Sequence, residues 1–129
     1  MKIAALIARI LLGLVFLVFG LNGFLNFIPM GPMPTGNAGQ FVGALIASRM
    51  MYFVSAVQLI GGALLLVNQF VPLALTILGP VLVNILLFHA LMAPAGLPLA
   101  IVVAILWFIL FFRYSKNFAG LFEQKPTLP

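Results

Sequence analysis

Cysteine is absent from this sequence, Glu123 is its only acidic side chain, and His89 its only histidine. Without thiols there is no disulfide frame, no thiol redox pair and no Cys-based metal site. A lone imidazole brings one ligand to a metal or haem, and no acid in the apolar segments orients it. Ser48, Ser55 and Ser115 lack the partners that activate a nucleophile. No catalytic or metal-binding residue is therefore assigned, and the sequence argues against an independent enzyme. Charge of either sign is also scarce. Charged residues make up 5% of the 129 positions, against about 25% in soluble domains, so a water-facing surface cannot be assembled.

What is present is apolar: 65% of residues are hydrophobic, and the mean hydropathy is +1.33. A net charge of +5 and a pI near 10.5 would suggest nucleic acid in a soluble chain. Here the few basic residues flank apolar runs, so membrane topology accounts for them and no nucleic-acid partner is expected. Crossing a bilayer as a helix takes about 20 apolar residues at ~1.5 Å rise each. Four segments meet or approach this: 3–27, 51–68, 72–92 and 98–114, with a tail over 115–129. The first is too long for a signal peptide and has no cleavage motif, so it is read as a span. The breaks hold "IPMGPMPTGN", "NQF" and "APAG", and Pro72 and Pro98 fall where a first helical turn accepts proline. The expected fold is all-α, one membrane domain over 1–129: a transmembrane four-helix bundle with a short interfacial helix between spans one and two.

That interfacial segment, "NAGQFVGALIASRM" (37–50), begins at a potential N-cap, Asn37, and repeats small residues at Gly39, Gly43 and Ala47. The spacing predicts a face open to close backbone approach. An N-terminal extension of the second span fits the same residues equally well. Lys2, Arg9, Arg113, Lys116 and Lys125 lie towards the termini and only Arg49 on the opposite side, so the positive-inside rule puts both termini in the cytoplasm. Tyr114 and Tyr52 suit interfacial anchors.

The polar groups inside the spans gather in the outer half. Asn22, Asn26, Ser55, Gln58, Asn84 and His89 are the candidates for a shallow ligand pocket; Thr76 lies on the inner side. Asn22 and Asn26 share a helical face opposite the Gly13–Gly20 stripe, so one of the two faces needs the interfacial segment or another subunit as neighbour, which leaves a homo-oligomer open. Asn84 lies deep enough to need a protein partner. His89 can reach the headgroup region. Pro80 withholds an N–H and frees the Thr76 carbonyl for Thr, Asn or water. The methionines other than Met1 (Met30, Met33, Met50, Met51 and Met92) all fall on the outer side with His89, a set able to hold Cu(I), although Met more often fills apolar gaps. Trp107, Phe108, Phe111 and Phe112 either wall a quinone or lipid pocket or pack helices.

Three fragments, "RILLGLVFLVFGLNGFLNF" (9–27), "LIGGALLLVNQFVPLAL" (59–75) and "LVNILLFHALMAPAGLPLA" (82–100), resemble in order and spacing the DoxX family of small bacterial four-helix membrane proteins. The resemblance implies a bacterial inner-membrane protein and an accessory or binding subunit of a membrane oxidoreductase complex, with quinone as the candidate cofactor and membrane or peripheral subunits as partners. Many relatives carry Lys and Glu shortly before the Gly-Gly pair; aligned on Gly61-Gly62, this chain has Ser55 and Gln58 there. A proton or redox role resting on that charge pair does not carry over. The competing expectations are a structural membrane scaffold whose amides satisfy only one another and, less readily, a small-molecule transporter.

Overall fold

The computed structural model describes residues 2–29 and 31–129. Its helices are α1 (Lys2–Leu25), α2 (Gly36–Ala47), α3 (Met50–Leu66), α4 (Val71–Leu91), α5 (Leu97–Arg113) and the single turn α6 (Ser115–Phe118), with short 3₁₀ turns at Pro94–Gly96 and Ala119–Phe122. No strand occurs among the described residues, as an all-α fold requires. α1 packs on α3 and α5, and α4 packs on the same two, closing a four-helix ring. α1, α4 and the Pro94–Arg113 stretch are each long and apolar enough to span a bilayer, and the bent α2–α3 pair meets the same test only when its two helices are taken together.

The helices follow from their solvent. Lipid offers no hydrogen bonds, so each span must satisfy its own backbone. Inward residues recur at helical spacing, as Ala5, Ala8, Leu12 and Phe16 on α1 and as Leu75, Leu78 and Leu82 on α4. The outer faces are equally apolar. Ile3, Leu6, Ile7 and Leu14 on α1, and Ile101, Val102 and Ile105 on α5, are exposed. Patches this large are untenable in water and expected against acyl chains.

The tightest interface joins α1 to α3 through glycine. A Cβ placed on Gly62 would lie 2.5 Å from the Leu17 backbone nitrogen and 2.8 Å from the Gly13 carbonyl. One on Gly20 would lie 2.6 Å from the Leu59 nitrogen and 2.8 Å from the Ser55 carbonyl. The two backbones touch. Gly61 faces the other way, where a Cβ would meet the Leu78 side chain of α4. The Gly-Gly pair thus seats α3 between two neighbours.

Polar contacts add to this at two places. Arg9 donates to the Leu65 carbonyl and, at 3.3 Å, to the Leu66 carbonyl, covering the C-terminal end of α3 with a cation. The Trp107 indole N–H donates to the Leu75 carbonyl at 3.0 Å, tying α5 to α4, while its ring stacks on Phe111 at 5.3 Å. Trp107 and Phe111 are therefore packing residues, whereas Phe108 and Phe112 face outward.

Several boundaries and neighbours differ from the sequence expectations. α1 ends at Leu25 instead of 27 because Asn26 turns left-handed (φ 51°) and stops the helix. α2 starts after Thr35, two residues ahead of Asn37. Its small-residue face meets no helix: a Cβ on Gly43 would touch nothing within 4 Å, and Gly39 abuts only the Pro34 carbonyl of its own loop. α2 is not a collinear extension of α3, since the pair bends by 85° at the break where Arg49 adopts φ 67°. The segment beyond 114 does not simply leave the bundle. Phe118 is buried and lies 4.9 Å from Phe111.

Two outcomes test this packing. Gly62→Ala lowers stability in detergent by about 1–3 kcal/mol, because the added methyl meets backbone that cannot rotate away; Gly43→Ala, in open space, is neutral or gains up to ~1 kcal/mol from helix propensity. Denaturation midpoints of the two proteins compare them directly, and equal shifts contradict the interlock. Trp107→Phe keeps an aromatic side chain but loses the indole donor and some packed volume, and costs at least about 0.6 kcal/mol, the average for a polar contact between membrane helices, measured by the same titration.

Candidate functional site

The 85° corner at Ser48–Arg49 turns α2 back across the end of the bundle remote from the chain termini. There Phe41 of α2 meets Phe88 of α4, ring centroids 5.5 Å apart. Beside that contact α2, α3 and α4 line a half-open cavity of about 480 Å³. Its size lies within the ~300–1,000 Å³ of small-molecule sites. α2 contributes Phe41, Val42 and Leu45, and α3 contributes Met50, Met51, Val54 and Gln58. The α4 wall runs from Pro80 and Val81 through Asn84, Ile85 and Phe88 to His89. Ten apolar residues surround three polar ones.

Those three differ in what they leave available. Asn84 Nδ2 donates to the Pro80 carbonyl at 2.9 Å, one turn back on its own helix, so its Oδ1 remains an acceptor. The partner Asn84 needs at this depth is thus backbone of α4. His89 Nδ1 lies 3.1 Å from the Ala93 carbonyl. A carbonyl only accepts, so Nδ1 carries the proton, and in the neutral ring Nε2 keeps its lone pair. Phe88 edges the same imidazole at 5.1 Å, and Gly96 lies against it, where any side chain would collide. Gln58 is half-buried and its carboxamide makes no side-chain hydrogen bond among the described residues, leaving both donor and acceptor free. The site offers hydrogen bonds in an apolar shell and no charge.

Gln58, Asn84 and His89 are brought together from the six sequence candidates; the other three lie elsewhere. Asn22 is buried at 6% exposure, and its Oδ1 accepts the Ile28 backbone N–H at 2.8 Å. It closes the chain just past α1 and needs neither ligand nor second subunit. Asn26 no longer shares its helical face, because it lies beyond the helix end and is exposed. Ser55 is buried at 2% exposure beneath Gly23 of α1, with no room for a side chain between them. Nor do the amides satisfy one another, as a pure scaffold would have it; Asn22 and Asn84 both bond to backbone. The carbonyl that Pro80 frees on Thr76 is not taken by Thr or Asn either: the Thr76 hydroxyl donates to the Pro72 carbonyl at 2.8 Å.

Met50 and Met51 join His89 on the cavity wall, while Met33 and Met92 do not, and Met30 falls outside the described residues. No group of three or more His, Cys, Asp or Glu residues converges among the described residues. The sequence reading missed the roof. Phe41 and Leu45 lie on the side of α2 away from Gly39 and Gly43, with Val42 on its flank, and that apolar face was the available signal.

No curated protein and no solved structure matches this chain. The family model for DoxX matches residues 4–90, which holds α1 to α3 and nearly all of α4, and with them every wall of the cavity. The chain, a membrane protein by its apolar helices, belongs to the DoxX family.

Proposed function

We propose that this protein is a membrane accessory or binding subunit that holds an amphiphile, a quinone or a lipid-like molecule with a carbonyl or hydroxyl head, in the cavity under α2. One observation carries the reading: a cavity of about 480 Å³ whose apolar wall is interrupted only by Gln58, Asn84 and His89. An apolar ring or chain gains from the Phe, Met and Val lining. Its head group finds acceptors at Asn84 Oδ1 and His89 Nε2 and both kinds of group at Gln58. With no carboxylate in the lining, the imidazole of His89 is the one side chain there able to take up a proton. Association with an oxidoreductase complex follows from the family resemblance and belongs to the same proposal. So does the orientation, with the termini in the cytoplasm of a bacterial inner membrane and the cavity in the outer leaflet: it is supported by Lys2, Arg9, Arg113 and Lys116, which gather at the end opposite the cavity.

The test is purification in mild detergent followed by mass spectrometry of retained quinones and lipids. Wild type carries a bound amphiphile. Replacing Gln58 and Asn84 together by Leu lowers retention about tenfold, as expected for losing two neutral hydrogen bonds of ~0.5–1.5 kcal/mol each. Asn26→Gly, which keeps the left-handed cap and lies outside the cavity, leaves retention unchanged. Absence of any retained amphiphile, unchanged retention in the double variant, or failure of that variant to assemble each removes the proposal and leaves a structural subunit.

A further inference from the structure

The opposite end of the bundle holds a second, smaller cavity of about 180 Å³. Lys2, Ala5, Leu6 and Arg9 of α1 form one side, Asn68 of the α3–α4 turn another, and Leu110, Arg113 and Tyr114 at the end of α5 the third. Half of the six basic residues in the chain therefore converge on one small space. Glu123, the sole acid, does not line it. Three like charges brought together without a carboxylate are unfavourable unless something anionic joins them. Arg9 is partly engaged by the Leu65 and Leu66 carbonyls through Nη1, which fixes its guanidinium while leaving other N–H donors of the fork unspent. Tyr114 and Asn68 add a hydroxyl and an amide.

We infer that this cavity is a binding site for a phosphate oxyanion, presented by the headgroup of an anionic lipid. Its volume lies below that of ordinary small-molecule pockets (~300–1,000 Å³), which suits a headgroup and not a whole metabolite. Its position, where α1 begins and α5 ends, suits the level of lipid phosphates at the end of two spans. Leu6 stands at the rim, 49% exposed, with Ile10 next along the same outward face at 40%, so a bound headgroup can send its acyl chains down α1. The three cations and the donors surround the phosphate, while Arg9 couples it to the C-terminal end of α3. The site is independent of the amphiphile cavity, which shares none of its residues.

Native mass spectrometry of the full chain in detergent tests this with phosphatidylglycerol, uncharged diacylglycerol and inorganic phosphate as probes. Phosphatidylglycerol is expected to be retained and diacylglycerol lost. Arg113→Gln, at an exposed lining residue, lowers retention about fivefold, the effect of one basic residue at a membrane surface. Lys116→Gln makes the same change in net charge outside the cavity and leaves retention unchanged. Displacement of the lipid by inorganic phosphate supports the oxyanion contact. Equal retention of the two lipids, or equal losses in the two variants, overturns the site in favour of diffuse surface charge. Capture of inorganic phosphate without retention of lipid overturns the lipid as its source.

Discussion

Contact between the backbones of α1 and α3 is the constraint on which the rest of the molecule depends. In lipid, apolar side chains gain nothing by leaving an apolar solvent for one another, so helices associate through close packing and a few polar contacts. Gly20 and Gly62 let the two backbones meet with no side chain between them. α3 has 17 residues, or about 25 Å at 1.5 Å per residue, short of the ~30 Å hydrocarbon core. Held against the longer α1, it reaches the far end of α1, where Tyr52 stacks on Phe24, and falls short at the other end, beside Arg9. The left-handed Arg49 then turns the preceding helix sideways, and the space between that helix and α4 becomes the larger cavity.

The apolar helices were legible in the sequence because they rest on a local pattern, hydropathy over about twenty residues; the Gly13–Gly20 face was legible as small, but not that α3 would cover it. The same glycine pattern failed on α2. Spacing shows that a face is small, but not whether another helix lies opposite, and Gly43 looks into open space. The amides divide in the same way. Gln58, Asn84 and His89 lie on helices whose mutual placement brings them to one cavity, while Ser55 turns towards α1 instead. Asn26 escaped periodicity altogether, since the helix ends before reaching it, and Asn22 found its partner six residues along the chain. That polar side chains stand within the apolar runs was readable from the sequence; their neighbours were not.

Ser55 and Gln58 show why the absence of charge matters to both the packing and the chemistry. The family resemblance implies Lys and Glu at these positions in many relatives. Here Ser55 sits directly under Gly23 with no free volume, so a side chain of lysine length at this position would force α1 and α3 apart at the outer end of their contact. A small neutral residue at 55 and glycines at 20 and 23 are parts of one arrangement. With the charge gone from 55, a carboxylate at 58 would stand in an apolar cavity without a counter-ion, a costly state for any buried charge. Glutamine keeps the shape and the hydrogen bonds and removes that cost. The neutral pair thus fits the close helix contact, and it leaves His89 as the titratable side chain in the lining of the larger cavity.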